Sequence, residues 1–538
     1  GTLGNLYLEP SANFSGSISG GHVGSISRHQ SGDNDIVSFI TGGTFGMDVT
    51  EFCAFNYVCT SNGNGTYGIE YKPQEEDAFV ISTLHELEAF RDAVNAGNDF
   101  ADQTVVLSAG VDLNPTRAIN NWEPIGTQAN PFKGTFDGGD NTISNLVVEG
   151  ENNVGLFGYA DNATIKNVKL ENVNVKGTNC VGAIAGQVYS TSLIDNCHVS
   201  GLIQVEGQTN VGGIVGKYYT KVKNCSVIGD DVATSYVKGT YVASDLEGDN
   251  IGGIMGHGGE DNRFENNTVK NITISGTRKV AGIVGVTDMN TQVKNCVVEN
   301  VNIETTATAE YANSKKNTMS NGTLVGSYTT GNNTTGTVES CVVKNVNFLN
   351  PNNAVVSVGP ITGGLRGGTD GMLAPTGVTA SGNNIYMSTI TGSNNLFLMN
   401  PVAKIGTTEY YTLFDAVAAV QDGETTITML RSTAEEFAID NTTANITLDM
   451  ATYTLTGAIT PSKANLTIEN GTINNENASY SAIEINAGTL VLNDVNVTSK
   501  RHGVRIDGAV EATINGGEYR LSATSGTRHA VNVSGAAN

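Results

Sequence analysis

The sequence predicts an all-β fold, a right-handed parallel β-helix in two units with short capping helices. Three observations carry this prediction. The chain is rich in Gly (65) and poor in Pro (10), and only 15% of it is charged, a composition of short strands broken by turns. Its middle holds a Val-Gly motif that recurs in a constant register. Its 39% hydrophobic content falls in short alternating runs, which favours folded strands over disorder. At 538 residues the chain exceeds the roughly 250 to 300 residues at which one core stops growing, so two or three units are expected.

The array begins with Val154-Gly155-Leu156-Phe157-Gly158 and returns as Val181-Gly182-Ala183-Ile184-Ala185-Gly186 and Val211-Gly212-Gly213-Ile214-Val215-Gly216. It continues with Ile251-Gly252-Gly253-Ile254-Met255-Gly256, Val280-Ala281-Gly282-Ile283-Val284-Gly285 and a degenerate Gly322-Thr323-Leu324-Val325-Gly326. A second strand follows each motif, as in Ile194-Asp195-Asn196-Cys197 and Val222-Lys223-Asn224-Cys225. A unit of 27 to 30 residues with two or three such strands cannot bury its apolar face alone. Stacked in parallel, about six of them form the coils of one β-helix, and like residues become ladders about 4.8 Å apart.

Two columns read as structural. Asn167, Asn196, Asn224, Asn266 and Asn295 form an amide ladder at a turn, which Ser340 ends. The adjoining Cys197, Cys225, Cys296 and Cys341 read as small apolar fillers of an interior column. Seven cysteines, five of them in the array, do not suggest a disulfide framework, and the close pair Cys53 and Cys59 reads as apolar packing.

These residues resemble the GLUG-motif repeats of bacterial cell-surface proteins over about residues 75 to 345, including the entry segment Trp122-Glu123-Pro124-Ile125-Gly126. The resemblance implies a β-helix in an extracellular or cell-surface bacterial setting. It implies no catalytic residues, so Trp122, the sole Trp, reads as a structural plug.

Two amphipathic helices stand where a β-helix would start. Thr83 and Glu86 form a capping box before Leu84, Leu87, Phe90 and Val94, and Gly97 stops this helix, placed at about 83 to 96. Thr412 caps a second at about 412 to 422, with Leu413, Ala416, Val417 and Val420 inward and Gly423 as the stop. Such lids cover the open strand edges of a first coil. The expected units are therefore terminal coils over 1 to 72, a GLUG-type β-helix over 73 to 400, and a second β-helix over 401 to 538. Ile514-Asn515-Gly516-Gly517 repeats Ile40-Thr41-Gly42-Gly43 and Ile18-Ser19-Gly20-Gly21, so both ends share a repeat type and resemble β-helical surface proteins of gut bacteria. The chain thus reads as a window on a longer array, or as one whose termini meet end to end within or between molecules.

A net charge of -24 without a basic stripe excludes nucleic acid, and no apolar run approaches the roughly 20 residues of a membrane span. No cofactor is expected beyond adventitious calcium. Expanded repeats at 228 to 250 and 304 to 321 supply candidate ligand-binding residues Tyr236, Lys238, Tyr241, Tyr311, Lys315 and Lys316. Tyr159, Tyr189, Tyr219 and Tyr328 fall at nearly one column and read as an alternative glycan-binding stripe. Asp137 and Asp140 belong to a turn sequence, and Asp449, Asp494 and Asp507 share no evident column with Arg505 or His502. The expected function is a non-catalytic adhesin or binding module for glycan or host surface protein. A ligand-free stalk is the alternative, and a polysaccharide lyase or hydrolase of this fold the second.

Overall fold

The computed structural model describes residues 2–8, 18–28, 40–54, 56–71, 79–113, 120–240, 249–288, 290–308, 320–329, 336–352, 354, 356–359, 361–364, 378–381, 384–386, 389–392, 396–398, 401–410, 412–523 and 527–534. The central region is a stack of parallel coils with four faces, where the sequence suggested two or three strands per coil. In one coil these are Leu193–Asp195, His198–Gly207, Thr209–Gly212 and Val215–Tyr218, here called the first, long, third and fourth faces. The single Val-Gly strand read from sequence is really two short ones joined at a glycine corner. The third face continues as an eight-stranded sheet to Leu396–Leu398, two coils past the degenerate motif.

Register is strict. On the first face Ile165, Ile194, Val222, Phe264, Val293 and Val338 stand above one another, and on the third Val154, Val181, Val211, Ile251 and Val280 do so. All are 0 to 1% exposed, and burying each aliphatic side chain contributes about 1.5–3 kcal/mol. The glycines of the motif are dictated by contact. A Cβ at Gly216 would lie 2.5 Å from the main chain of Cys180 and Gly186 in the coil beneath, and one at Gly212 would lie 2.0 Å from the Val215 carbonyl oxygen.

Two outward columns alternate in charge. Asp137, Lys166, Asp195, Lys223, Glu265, Lys294 and Glu339 are successive Cα partners on the first face, so sign alternates at every coil. Glu149, Lys176, Glu206 and Lys238 repeat the pattern on the long face. Stacked like charges would repel at this spacing, and alternation makes each neighbour a partner. The segment read as an insertion at 228 to 250 supplies part of this sheet, since Tyr236–Gly239 pairs in parallel with both neighbouring coils.

Helix α1 (Leu84–Asn95) lies over the first coil with the expected capping box, Thr83 Oγ1 accepting from Glu86 N–H and the Glu86 carboxylate from Thr83 N–H. Leu87, Phe90 and Val94 are buried in the core that runs from Ile81 to Ile361. Trp122 is buried beneath Arg91 of α1 at 5.0 Å and donates its indole N–H to the Leu156 carbonyl at 3.0 Å.

A second parallel stack begins after helix α2 (Leu413–Ala418), with Ile427, Leu448, Ile468, Leu492 and Ile514 in one column. Its buried core runs from Val402 to Val510. The hairpin of Ala403–Ile405 and Thr408–Tyr410 joins the two stacks. One strand pairs antiparallel with Val378–Ser381 and the other with the strand containing Ile427, so both edges are closed by the same element. At the amino end Thr2–Leu8, Ile18–Arg28 and Ile40–Phe45 are parallel, and the hairpin of Tyr57–Ser61 and Tyr67–Tyr71 pairs antiparallel with the last of them. Gly21, Gly43 and Gly517, the second glycines of the three Ile-x-Gly-Gly copies, share positive φ values of 97°, 117° and 81°.

Candidate functional site

The turn columns are satisfied internally. Asn167, Asn196, Asn224, Asn266 and Asn295 all adopt φ between 52° and 57°, a left-handed turn that Asn tolerates. Asn196 donates to Asn167 at 2.9 Å and Asn167 to Asp137 at 2.8 Å; Asn295 donates to Asn266 at 3.1 Å and Asn266 to Asn224 at 2.9 Å. One rung differs. His198 Nε2 occupies Asn196 Oδ1, and Asn224 donates to Asp195 at 2.8 Å instead. Cys197, Cys225, Cys296 and Cys341 are 0 to 1% exposed. Burial pushes the Cys225 and Cys296 thiols up. Asn267 takes their place in the fourth coil, its side chain bonded to Cys225 N–H and the Val222 carbonyl.

Acidic side chains on the flanks are mostly matched. Asp137 meets Lys166 at 3.1 Å and Asp140 meets Lys169 at 3.3 Å. Asp449 accepts from Ala451 N–H and Asn470 in a turn. Asp507 pairs with Arg505 at 2.9 Å along their own strand, and Arg505 also approaches Glu484 at 3.6 Å; across coils Arg505 aligns with Asn532 and Asp507 with Ser534, so the two share no column. No group of three or more potential metal ligands exists among the described residues. No described helix is long and apolar enough to cross a membrane.

The four tyrosines of the expected stripe do not share a column. Fourth-face register aligns Tyr159 with Gln187, Lys217 and His257, and aligns Tyr328 with Thr287, Gly258 and Tyr218. Tyr189 and Tyr219 each lie two residues beyond the Gln187–Lys217 pair. A shift of one residue in a strand turns a side chain to the other side, and Tyr328 is accordingly buried at 0% exposure while Tyr159 is 8% exposed. Neither presents a ring to solvent.

Tyr189 and Tyr219 do converge, with partners that sequence reasoning missed. The Tyr218 and Tyr219 rings are parallel at 4.9 Å, and Tyr189 stands edge-on to them at 5.9 and 5.6 Å. His257 adjoins Tyr218 at 5.5 Å, and Lys217 Nζ lies 4.0 Å from its ring centroid. Gly259 makes the seat, since a Cβ there would come within 2.4 Å of the Tyr219 ring. The Tyr218-Tyr219 doublet after a lysine was the available signal.

Burial pushes His257 below the ordinary imidazole value despite Asp288 at 3.9 Å, so it is neutral at physiological pH. Burial raises the Asp288 carboxyl, but its contacts with His257 and Thr329 and the charge of Lys217 outweigh this and hold it low. Burial, then Tyr218 and Asp288, raises the Tyr219 phenol, which remains a neutral donor.

Elsewhere, Tyr236 is half-buried on the long face, and Lys238 lies 6.0 Å from its ring centroid and 3.8 Å from Glu206. Tyr241, Tyr311, Lys315 and Lys316 lie outside the described residues.

Four-stranded coils with in-register ladders define a parallel β-helix repeat protein. Residues 207–233 match the GLUG motif, and residues 128–201 match the M26 IgA1-specific metallo-endopeptidase N-terminal region. The chain is 28% identical to an immunoglobulin A1 protease of Streptococcus sanguinis over 223 residues, 40% of this chain and 11% of that protein. It is 33% identical to halomucin of Haloquadratum walsbyi over 161 residues, 29% of this chain and 2% of that protein. A crystal structure of a putative immunoglobulin A1 protease from Bacteroides ovatus aligns with 60% of this chain and 84% of that one, at 14% identity and a TM-score of 0.35.

Proposed function

We propose that this chain is a non-catalytic extracellular surface protein of bacteria, a binding module that presents a β-helical flank to glycan or to host surface protein. The observation that carries this reading is the fourth-face cluster. Tyr189 is 38% exposed beside Tyr218, Tyr219 and Lys217, and amphipathic rings at a solvent boundary are the groups that recognition surfaces use. The similarity to an N-terminal region beside a peptidase supports an extracellular setting for it. The expanded coils bearing Tyr236 and Lys238 add a second candidate surface on the long face.

The test is binding to a glycan array, mucin and matrix proteins, comparing the chain with its Tyr189→Ala/Tyr219→Ala variant. Binding that the variant loses supports the proposal. No binding, or binding that the variant retains, overturns the assignment of this cluster. The stalk reading has its own support in the charge columns and amide ladders, which satisfy themselves and leave little free polarity on the first face.

A further inference from the structure

The cluster also narrows the ligand class, a step that rests on the binding reading above. Lys217 differs from the lysines of the neighbouring faces. Lys166, Lys223, Lys270 and Lys294 each meet a carboxylate at 2.8 to 3.2 Å. Lys217 makes no ion pair among the described residues, and its ammonium rests over the Tyr218 ring. Asp288, whose carboxyl the Lys217 charge helps to hold low, accepts from the Thr329 hydroxyl at 2.6 Å and faces His257. His257 contributes no competing charge when neutral. In a chain of net charge -24, a lysine that makes no ion pair among the described residues at the rim of three aromatic rings is complementary to an anion. The exposed Tyr189 ring supplies the other half, an apolar face for the C–H surface of a sugar ring. Its centroid lies 5.9 Å from that of Tyr218, over which Lys217 Nζ rests at 4.0 Å.

We infer that this cluster binds a glycan bearing a carboxylate, with the sugar face on Tyr189 and the carboxylate on the Lys217 ammonium. Sialylated and uronate-containing chains share this chemistry, and matched probes separate them.

Titration calorimetry against sialyllactose and lactose, and against oligogalacturonate and its carboxyl-reduced form, tests the inference. At least one acidic probe is expected to bind about 10-fold or more tightly than its neutral partner, the scale of one charge-assisted hydrogen bond. Lys217→Gln should erase that preference, Lys217→Arg should keep it, and Tyr189→Ala should weaken acidic and neutral probes alike. Lys221→Gln, an exposed lysine with no described ion pair on the first face, should change nothing. Melting curves that match the parent chain show that the variants are folded. Equal affinity for acidic and neutral sugars, with dependence on Tyr189, would overturn the carboxylate assignment and leave the binding reading standing. A preference that survives Lys217→Gln, or falls equally with Lys221→Gln, would overturn it too. Absence of binding to any glycan or protein would remove both readings.

Discussion

Replacing Gly216 by Ala probes the contact that shapes every coil. The added Cβ would sit 2.5 Å from Cys180 C, Gly186 O and Val181 N, against 3.4 to 4 Å for ordinary contact. All three atoms are main chain of the coil beneath, so no rotamer change relieves the clash, and the strand must move by about 1 Å where the sheet is in strict register. Overpacking of this kind costs about 1–3 kcal/mol, occasionally more. The absence of any flexible neighbour puts Gly216→Ala near about 3 kcal/mol, at the top of that range. Gly150→Ala is the internal control, because it lies at an exposed turn and its nearest neighbour is a Val154 methyl at 3.3 Å. Urea unfolding followed by the fluorescence of Trp122, the sole Trp and a member of the same core, reads both. A Gly216→Ala chain within about 0.5 kcal/mol of the parent, the usual range for neutral surface changes, would refute the packing argument.

Trp122→Phe removes the indole donor from the Leu156 carbonyl, which keeps the Ile125 N–H at 3.0 Å, and takes away the ring beneath Arg91; a loss of about 0.5–1.5 kcal/mol is expected in thermal unfolding, and an unchanged melting point would contradict it. Lys223→Glu places three acids in a row, at positions 195, 223 and 265, between Lys166 and Lys294. Because exposed pairs each contribute about 0–1 kcal/mol, destabilisation of about 1 kcal/mol at low salt that shrinks in 1 M NaCl is expected. Asp249 is buried, with its Oδ2 accepting from Thr277 N–H and Arg278 and Lys279 nearby, and burial raises its carboxyl from 3.8 to about 7. A raised carboxyl favours the fold below pH 3.8 and loses that contribution as pH rises through 7. Asp249→Asn should therefore flatten the decline in melting temperature between pH 4 and about 8, and an identical pH profile would count against this.

The β-helix was legible because each coil repeats the same chemistry at the same column, so Val, Ile, Asn and Cys return at fixed offsets. Capping residues Thr83, Glu86 and Gly97 announced α1 in the same local way. Four strands per coil were not legible, since the third-face and fourth-face strands are as short as Ile251–Gly252 and meet at a glycine that looks like the middle of one strand. The hairpin of Ala403–Ile405 and Thr408–Tyr410 escaped because its pairing partners are fixed by tertiary docking and not by its own sequence. The tyrosine stripe shows how little error register tolerates. Tyr328 follows its motif glycine by two residues where Tyr219 follows by three, and that single step aligns it with Tyr218 and buries its side chain. Lys217 and His257 were invisible as neighbours because an expanded coil sets them 40 positions apart, and only the ladder makes them Cα partners.

Everything placed on the fourth face depends on that expanded repeat still closing a single coil. Lys221 and Arg263 are Cα partners on the first face across the same expansion, and adjacent parallel strands lie about 4.8 Å apart, inside the range a disulfide spans. Oxidation of a Lys221→Cys/Arg263→Cys chain should form the cross-link rapidly, while the offset pair Lys221→Cys/Glu265→Cys should not. Efficient cross-linking of the offset pair, or failure of the in-register pair, would contradict the stacking that brings Lys217, Tyr218, Tyr219 and His257 together.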